Sequence, residues 1–300
     1  MRRSPGVGVL AVLLAVTAAG CGDAGSEDAA DDHLQVTATT PIVADLVRNV
    51  GGSDVEVRQL LPPGADPHEH EPRPSDAAAA AESVVVFRSG GDLDAWLAEI
   101  ATPEVDEVAL LDSLSSDDRS ESHWWHDPRN AVTAVRAITD ALVDADPAGA
   151  PSFRRRAAAY VSELRRLDHG IERCIERVPA GDRELVTSHD SFGAFADRYD
   201  VREAGTVLPA RATQAQPSLG EIADLADRLE RNRVAAVFPE PDADPGLERA
   251  IAGEAGAELG APLWGDSLGP PGSSGATYVD AMSANAVAMV EGFTSGGHSC

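Results

Sequence analysis

The chain has 300 residues, with 50 Asp plus Glu against 24 basic residues that are all Arg, giving a formal net charge of -26. That balance excludes a general nucleic-acid binder, which needs a basic footprint, and adsorption to an anionic membrane by charge. A hydrophobic content of 43% allows real cores, and three Cys are too few for a disulfide-built fold.

Arg2 and Arg3 precede an apolar run from Val7 to Ala19, which suits a signal-peptide core and is short for a bilayer span. It closes on Ala18-Ala19-Gly20-Cys21, a small-residue run before a Cys that resembles a bacterial lipobox, with Cys21 as the lipidated first residue of the mature chain. Residues 1–20 are therefore expected to be a cleaved signal and residues 21–33 an acidic tether.

From there strands and helices alternate. Leu34–Ala38 alternates with period two and predicts a strand, and Pro41–Val50 carries apolar residues at helical spacing. Val55–Leu60 is a second strand, and Ser75 is expected to cap a short Ala-rich helix. Val84–Phe87 has the pattern of a buried strand and Leu93–Ile100 that of a helix. Residues 102–122 hold seven acids and one Arg and read as a solvated loop. Asp127-Pro128 opens the next helix, with Asp as N-cap and Pro at the first position.

Phe153, Ala157, Tyr160, Leu164, Leu167, Ile171, Cys174 and Val178 form one stripe, predicting a single helix from Ser152 to Val178. A helix of that length suits a rigid strut between two lobes. Glu184–Ser188 and Val234–Phe238 predict strands; Phe192–Tyr199, Pro245–Ala255 and Tyr278–Phe293 predict helices. Ser218-Leu219-Gly220-Glu221 is a capping box that starts another helix. The fold class is α/β: two lobes of mostly parallel sheet flanked by helices, residues 34–147 and 181–300, joined by one long helix in residues 148–180. Cys174 and Cys300 could pair in an oxidising compartment, which spacing leaves open.

Five of the eight His lie in three tight contexts. His68 and His70 sit in a Pro-Pro-Gly segment, Pro62 to Pro72. His123 and His126 sit in His123-Trp124-Trp125-His126-Asp127-Pro128, and His189 follows a predicted strand. Loops beyond strand ends are where open α/β sheets bind ligands. Three imidazoles and a carboxylate make a closed tetrahedral zinc site, with Asp266 as the carboxylate or Glu240 as second choice.

In these segments the chain resembles the substrate-binding proteins of zinc and manganese ABC transporters. The resemblance runs from about Leu34 to Phe293. It rests on Pro62-Pro63-Gly64 to His68, His123-x-Trp125-x-Asp127-Pro128, His189 followed by Phe192-Gly193, Asp266 before Leu268-Gly269, Pro217-Ser218, and Tyr278 to Asn285. It implies His68, His123, His189 and Asp266 as metal ligands, with Glu240, His70 and His126 as accessory candidates. It implies an extracytoplasmic, lipid-anchored monomer that captures Zn²⁺ between two lobes, hands it to a membrane permease, and is not an enzyme. A His rather than a Glu at position 189 leans the set toward Zn²⁺ over Mn²⁺. The strut implies limited hinge closure. A zinc hydrolase is the rival from another class, disfavoured because Asp266 would fill the open position and no HExxH helix occurs. An adhesin on the same fold differs only in its partner.

Overall fold

The computed structural model describes Met1 and residues 33–208, 217–241 and 243–300. Apart from Met1, the predicted signal lies outside the described residues, as do Cys21 and all of the tether except His33.

Four parallel strands form the first sheet: β1 (Leu34–Ala38), β2 (Val55–Gln59), β3 (Val85–Arg88) and β4 (Asp106–Ala109), in the order β2-β1-β3-β4. The central strands β1 and β3 are the apolar ones. β4 lies inside the stretch expected to be a solvated loop. Its Asp106 and Glu107 are exposed while Val108 pairs with Phe87, and a charged edge strand carries little of the alternation by which strands are recognised. Arg88 of β3 pairs with Glu107 across this edge.

Helix α1 (Pro41–Gly51) follows β1, with the Thr40 side chain accepting from the Val43 N–H. Helix α2 (Pro74–Ala81) differs from expectation at its start. Arg73 is the N-cap, its backbone N–H donating to the Asp76 carboxylate at 2.8 Å, and Ser75 lies exposed in the first turn. The helix expected over Leu93–Ile100 is a 3-10 turn, Ala95–Glu99. Just before it, the buried Asp94 carboxylate accepts from Thr39 Oγ1 and from the Ser89 and Gly90 N–H groups. That knot ties the carboxyl ends of β1 and β3 together and draws Asp94 inward.

Helix α3 (Pro128–Ala145) begins at the Asp127 cap, whose side chain accepts from the Arg129 N–H. Helix α4 (Ala150–Ile175) is the predicted strut, 26 residues long with the expected stripe buried from Phe153 to Cys174; it stops short of the predicted Val178, which is buried in the turn that follows. Arg156 fastens its N-terminal half to the first lobe, donating to the Val50 and Gly51 carbonyls and pairing with Asp54. Asp168 fastens the other half to the second lobe, accepting two bonds of 2.8 Å from Arg198 and one from the Tyr199 hydroxyl.

The second lobe holds β5 (Glu184–Thr187), α5 (Gly193–Tyr199), β6 (Arg202–Thr206), α6 (Leu219–Asn232), β7 (Ala236–Val237), α7 (Gly246–Ala255), β8 (Glu258–Leu259) and α8 (Tyr278–Phe293). The capping box at Ser218 and Glu221 forms as expected. β5 pairs with β6 and β7 with β8, all parallel. A bridge between Thr187 and Phe238, with the Phe238 N–H donating to the Val186 carbonyl, joins the two pairs. The resulting order, β6-β5-β7-β8, repeats that of the first sheet.

One apolar core passes from the first lobe through α4 into the second, including Val36, Phe87, Trp125, Leu164, Phe192 and Phe238. The two lobes therefore share one close-packed interior. Cys174 on α4 and Cys300 form a disulfide, with 5.1 Å between their Cα atoms. Among the described residues, no helix is long and apolar enough to cross a membrane.

Candidate metal centre

Each candidate ligand follows a strand and is held by the loop it sits in. In the first, Gly64 adopts a left-handed φ of 77° and donates its N–H to the Leu268 carbonyl and to Ser267 Oγ. This locks the His68 loop of one lobe onto the Asp266 loop of the other. Asp66 then caps a short turn through the His68 N–H at 2.8 Å, with Pro67 at its first position. His123 precedes the turn Trp124–His126, where Trp124 donates to Ser89 and Trp125 donates to the Gly265 carbonyl. His189 follows β5, its carbonyl accepting from Thr187 Oγ1.

The Asp266 loop depends on α8. Asn285, fully buried, accepts from the Trp264 N–H and donates to the Trp264 carbonyl, both at 2.8 Å. Tyr278 on the same helix donates its hydroxyl to the Trp125 carbonyl at 2.5 Å. The Tyr278-to-Asn285 spacing is two helical turns, so both side chains reach the back of the site.

Sequence alone brought five His and two carboxylates into contention, and the structure gathers four of these residues. Ligand atoms of His68, His123, His189 and Asp266 all lie within 4.8 Å of one another. His68 Nε2 is 3.3 Å from His123 Nε2 and 3.3 Å from Asp266 Oδ2. His123 Nε2 is 3.1 Å from Asp266 Oδ1, and His189 Nε2 is 3.1 Å from Asp266 Oδ2. The three ring centroids are 5.4, 5.6 and 5.4 Å apart, a nearly regular triangle. Despite these distances, His189 Nε2 and both Asp266 oxygens are buried without an aligned hydrogen bond. Buried polar atoms are almost always satisfied, so close but misaligned atoms fit ligands that face a shared ion. Four ligands on a tetrahedron with bonds of about 2.0–2.1 Å sit about 3.4 Å apart, close to the separations of 3.1 and 3.3 Å that link His68, His123 and His189 through Asp266, within a group that spans up to 4.8 Å.

The other candidates lie outside this cluster. His70 pairs with Asp76 at 3.2 Å and packs edge-on against Trp96. His126 is buried and stacks on Phe192 at 4.1 Å, and burial together with the nearby His123 lowers its pKa to about 3. Glu240 stands behind a ligand, its Oε1 at 2.6 Å from His189 Nδ1. Glu121 does the same for His123, 3.2 Å from Nδ1 and also accepting from the His123 N–H. Sequence analysis did not single out Glu121 because it lies in the acidic stretch; its only signal is a carboxylate two positions before a ligand-type His. A carboxylate behind an imidazole fixes the ring and raises its basicity toward a metal. Glu240→Gln and Glu121→Gln are each expected to weaken metal affinity by about 10- to 100-fold without unfolding the protein, checked by competition titration with a chromophoric chelator.

The carboxylates around His123 and His189 favour their protonated forms. Burial pushes the His123 pKa down, but Asp266 and Glu121 outweigh it and raise it to about 9. His189 is likewise lowered by burial and raised further by Asp266 and Glu240, to about 10. Burial raises Asp266, yet the three imidazoles hold it well below the usual carboxylate range. Folded His pKa values above the ordinary 6.5 mean that this stabilisation of the metal-free fold is complete below about pH 6.5. It is lost as pH rises through about 9 to 10, while metal affinity rises over the same range. Metal uptake at pH 7 is expected to release about two protons, measurable by calorimetry in buffers of different ionisation enthalpy.

Residues 36–292 match the model of the family described as zinc-uptake complex component A, periplasmic. The chain belongs to this family. Its members are substrate-binding components of ABC transporters and not enzymes, which removes the hydrolase alternative. A manganese-binding lipoprotein of Bacillus subtilis is 30% identical over 289 residues, covering 90% of this chain and 94% of the relative. The manganese ABC transporter substrate-binding lipoprotein PsaA of Streptococcus pneumoniae is 25% identical over 97% of this chain and 99% of its own length. Among solved structures, the periplasmic zinc-binding protein TroA from Treponema pallidum superposes with a TM-score of 0.82 at 25% identity, over 87% of this chain and 99% of that one. The zinc-uptake family member described here thus shares the α/β fold of TroA.

Proposed function

We propose that this protein captures Zn²⁺ outside the cytoplasm at His68, His123, His189 and Asp266 and passes it to the membrane permease of an ABC importer. The observation that carries this reading is the ligand set itself: three imidazole nitrogens and one buried carboxylate, two of the imidazoles backed by further carboxylates. Nitrogen-rich tetrahedral sets suit Zn²⁺, whereas carboxylate and water ligands suit Mn²⁺. The ion is cargo here, so binding and release both belong to the function.

Mn²⁺ is the second reading, favoured by the names of the manganese-binding relatives. Elemental analysis of protein purified from its own host, followed by a Zn²⁺/Mn²⁺ competition titration, decides between them. Tighter binding of Mn²⁺ than of Zn²⁺ would overturn the zinc assignment, since geometry would then outweigh the intrinsic preference of these ligands. The lipid anchor at Cys21 is supported by relatives named as lipoproteins. Fatty-acid labelling that survives Cys21→Ala would refute it.

A further inference from the structure

His123 and His189, the two ligands whose side chains are fully buried, are set into their lobes in the same way. The residue before each is a buried Ser, Ser122 before His123 and Ser188 before His189. Each hydroxyl donates to a carboxylate outside the ligand set, Ser122 Oγ to Asp92 and Ser188 Oγ to Glu248 at 2.7 Å. In the second lobe this carboxylate is itself buried, in the first turn of α7. α7 is firmly seated: Ile251 and Ala252 lie in the core that also holds Val186 of β5 and Val237 of β7. A carboxylate in a first helical turn gains from the helix dipole whether or not it is buried. Burial adds a desolvation cost that the Ser188 hydroxyl helps to offset.

We propose that Glu248 is a positioning residue for the metal centre, fixing through the Ser188 hydroxyl the backbone from which His189 reaches the ion. This rests on the metal-binding reading above. Two other bonds hold the same turn: Thr187 Oγ1 donates to the His189 carbonyl, and the Leu208 N–H donates to the Ser188 carbonyl. The Ser188–Glu248 bond ties the turn to a helix as well. Glu240 fixes the His189 ring at Nδ1, and Glu248 fixes the main chain one residue away. A ligand held in place beforehand does not have to be ordered when the ion arrives, so affinity is higher by the ordering cost avoided.

The test compares Glu248→Met, which keeps the length but removes the acceptor, with Glu248→Gln, which keeps an oxygen for Ser188, and with Ser188→Ala. Zn²⁺ affinity is read by chelator competition, and ligand geometry by the visible absorption of the Co²⁺-loaded protein. Glu248→Met and Ser188→Ala are each expected to weaken Zn²⁺ binding about three- to ten-fold, less than loss of a group that touches a ligand ring directly. Both should shift the Co²⁺ bands. The double variant should be no weaker than the worse single one, because one bond is lost in all three. Glu248→Gln should stay within about two-fold of the unaltered chain with unshifted Co²⁺ bands, since the acceptor remains. Ser218→Ala, which removes the cap of α6, controls for stability: it should lower the melting temperature and leave affinity and the Co²⁺ spectrum unchanged. Should Glu248→Met fail to fold, Ser188→Ala against Glu248→Gln decides alone. Unchanged affinity in Ser188→Ala, additive losses in the double variant, or an equal loss in Ser218→Ala would each overturn the assignment. Failure of the unaltered protein to bind Zn²⁺ would instead refute the metal-binding reading beneath it.

Discussion

His123→Ala is expected to weaken Zn²⁺ binding by more than about a hundred-fold, because losing only a partner behind a ligand typically costs about 10- to 100-fold. His123 is fully buried and contributes one edge of the cluster to His68 and another to Asp266. Its removal also leaves Glu121 and Asp266 facing each other's side of the site without the imidazole between them. The metal-free protein should lose stability too, since Asp266 and Glu121 each lose one of the groups that offset their burial. His126→Ala is the informative comparison. His126 is only three residues away and equally buried, but it stacks on Phe192 and lies outside the cluster. It should lower stability by the loss of packing and leave affinity close to that of the unaltered chain. A chelator-competition titration on both variants checks this. Retained affinity in His123→Ala together with lost affinity in His126→Ala would exchange their roles.

Cys174→Ser is expected to destabilise the fold by about 2–5 kcal/mol, the usual cost of removing a native disulfide. The bridge joins residues 126 apart in sequence, so it closes a loop that contains the entire second lobe. In the chain-entropy account, a loop of that length restricts the unfolded ensemble strongly. Cys300→Ser should cost nearly the same, because either change opens the same loop. Urea titrations with and without reductant check this. The reductant should lower the midpoint of the unaltered chain to near that of the variants and leave the variants where they are. Near-equal midpoints for oxidised and reduced protein would show that the bridge contributes little. The metal centre lies elsewhere, so Zn²⁺ should still stabilise the Cys174→Ser variant by mass action.

Much of the architecture could be read from local pattern. β1 and α8 begin and end where periodicity puts them, and the apolar stripe from Phe153 to Cys174 is the buried face of α4. Asp127-Pro128 and Ser218–Glu221 mark helix starts because the caps satisfy backbone groups within four residues. β4 and β6 escaped notice, and both are edge strands by the pairing order. Such strands owe their form to a neighbour's backbone rather than to their own side-chain pattern. Leu93–Ile100 shows the reverse case. Its helical spacing is genuine, but Asp94 is drawn inward by Thr39, Ser89 and Gly90, and a tertiary bond prevails over propensity.

The site divides in the same way. Residue type and local context were enough to select five His and the Asp266 and Glu240 carboxylates, because imidazoles concentrated in loops after strands are a chemical signal in themselves. Resemblance narrowed these to His68, His123, His189 and Asp266. Only the tertiary structure brought side-chain atoms of those four residues within 4.8 Å of one another, turned His70 toward Asp76 and His126 toward Phe192, and set Glu121 behind His123. It also showed why Tyr278 and Asn285 lie two turns apart on one helix, holding Trp125 and Trp264 on either side of the cleft. Sequence by itself determined the local elements and the chemistry available, since both depend on neighbours a few residues away. Which imidazoles face one another depends on ring orientations set by contacts between residues 55 to 203 apart, and those exist only once both lobes have packed against α4.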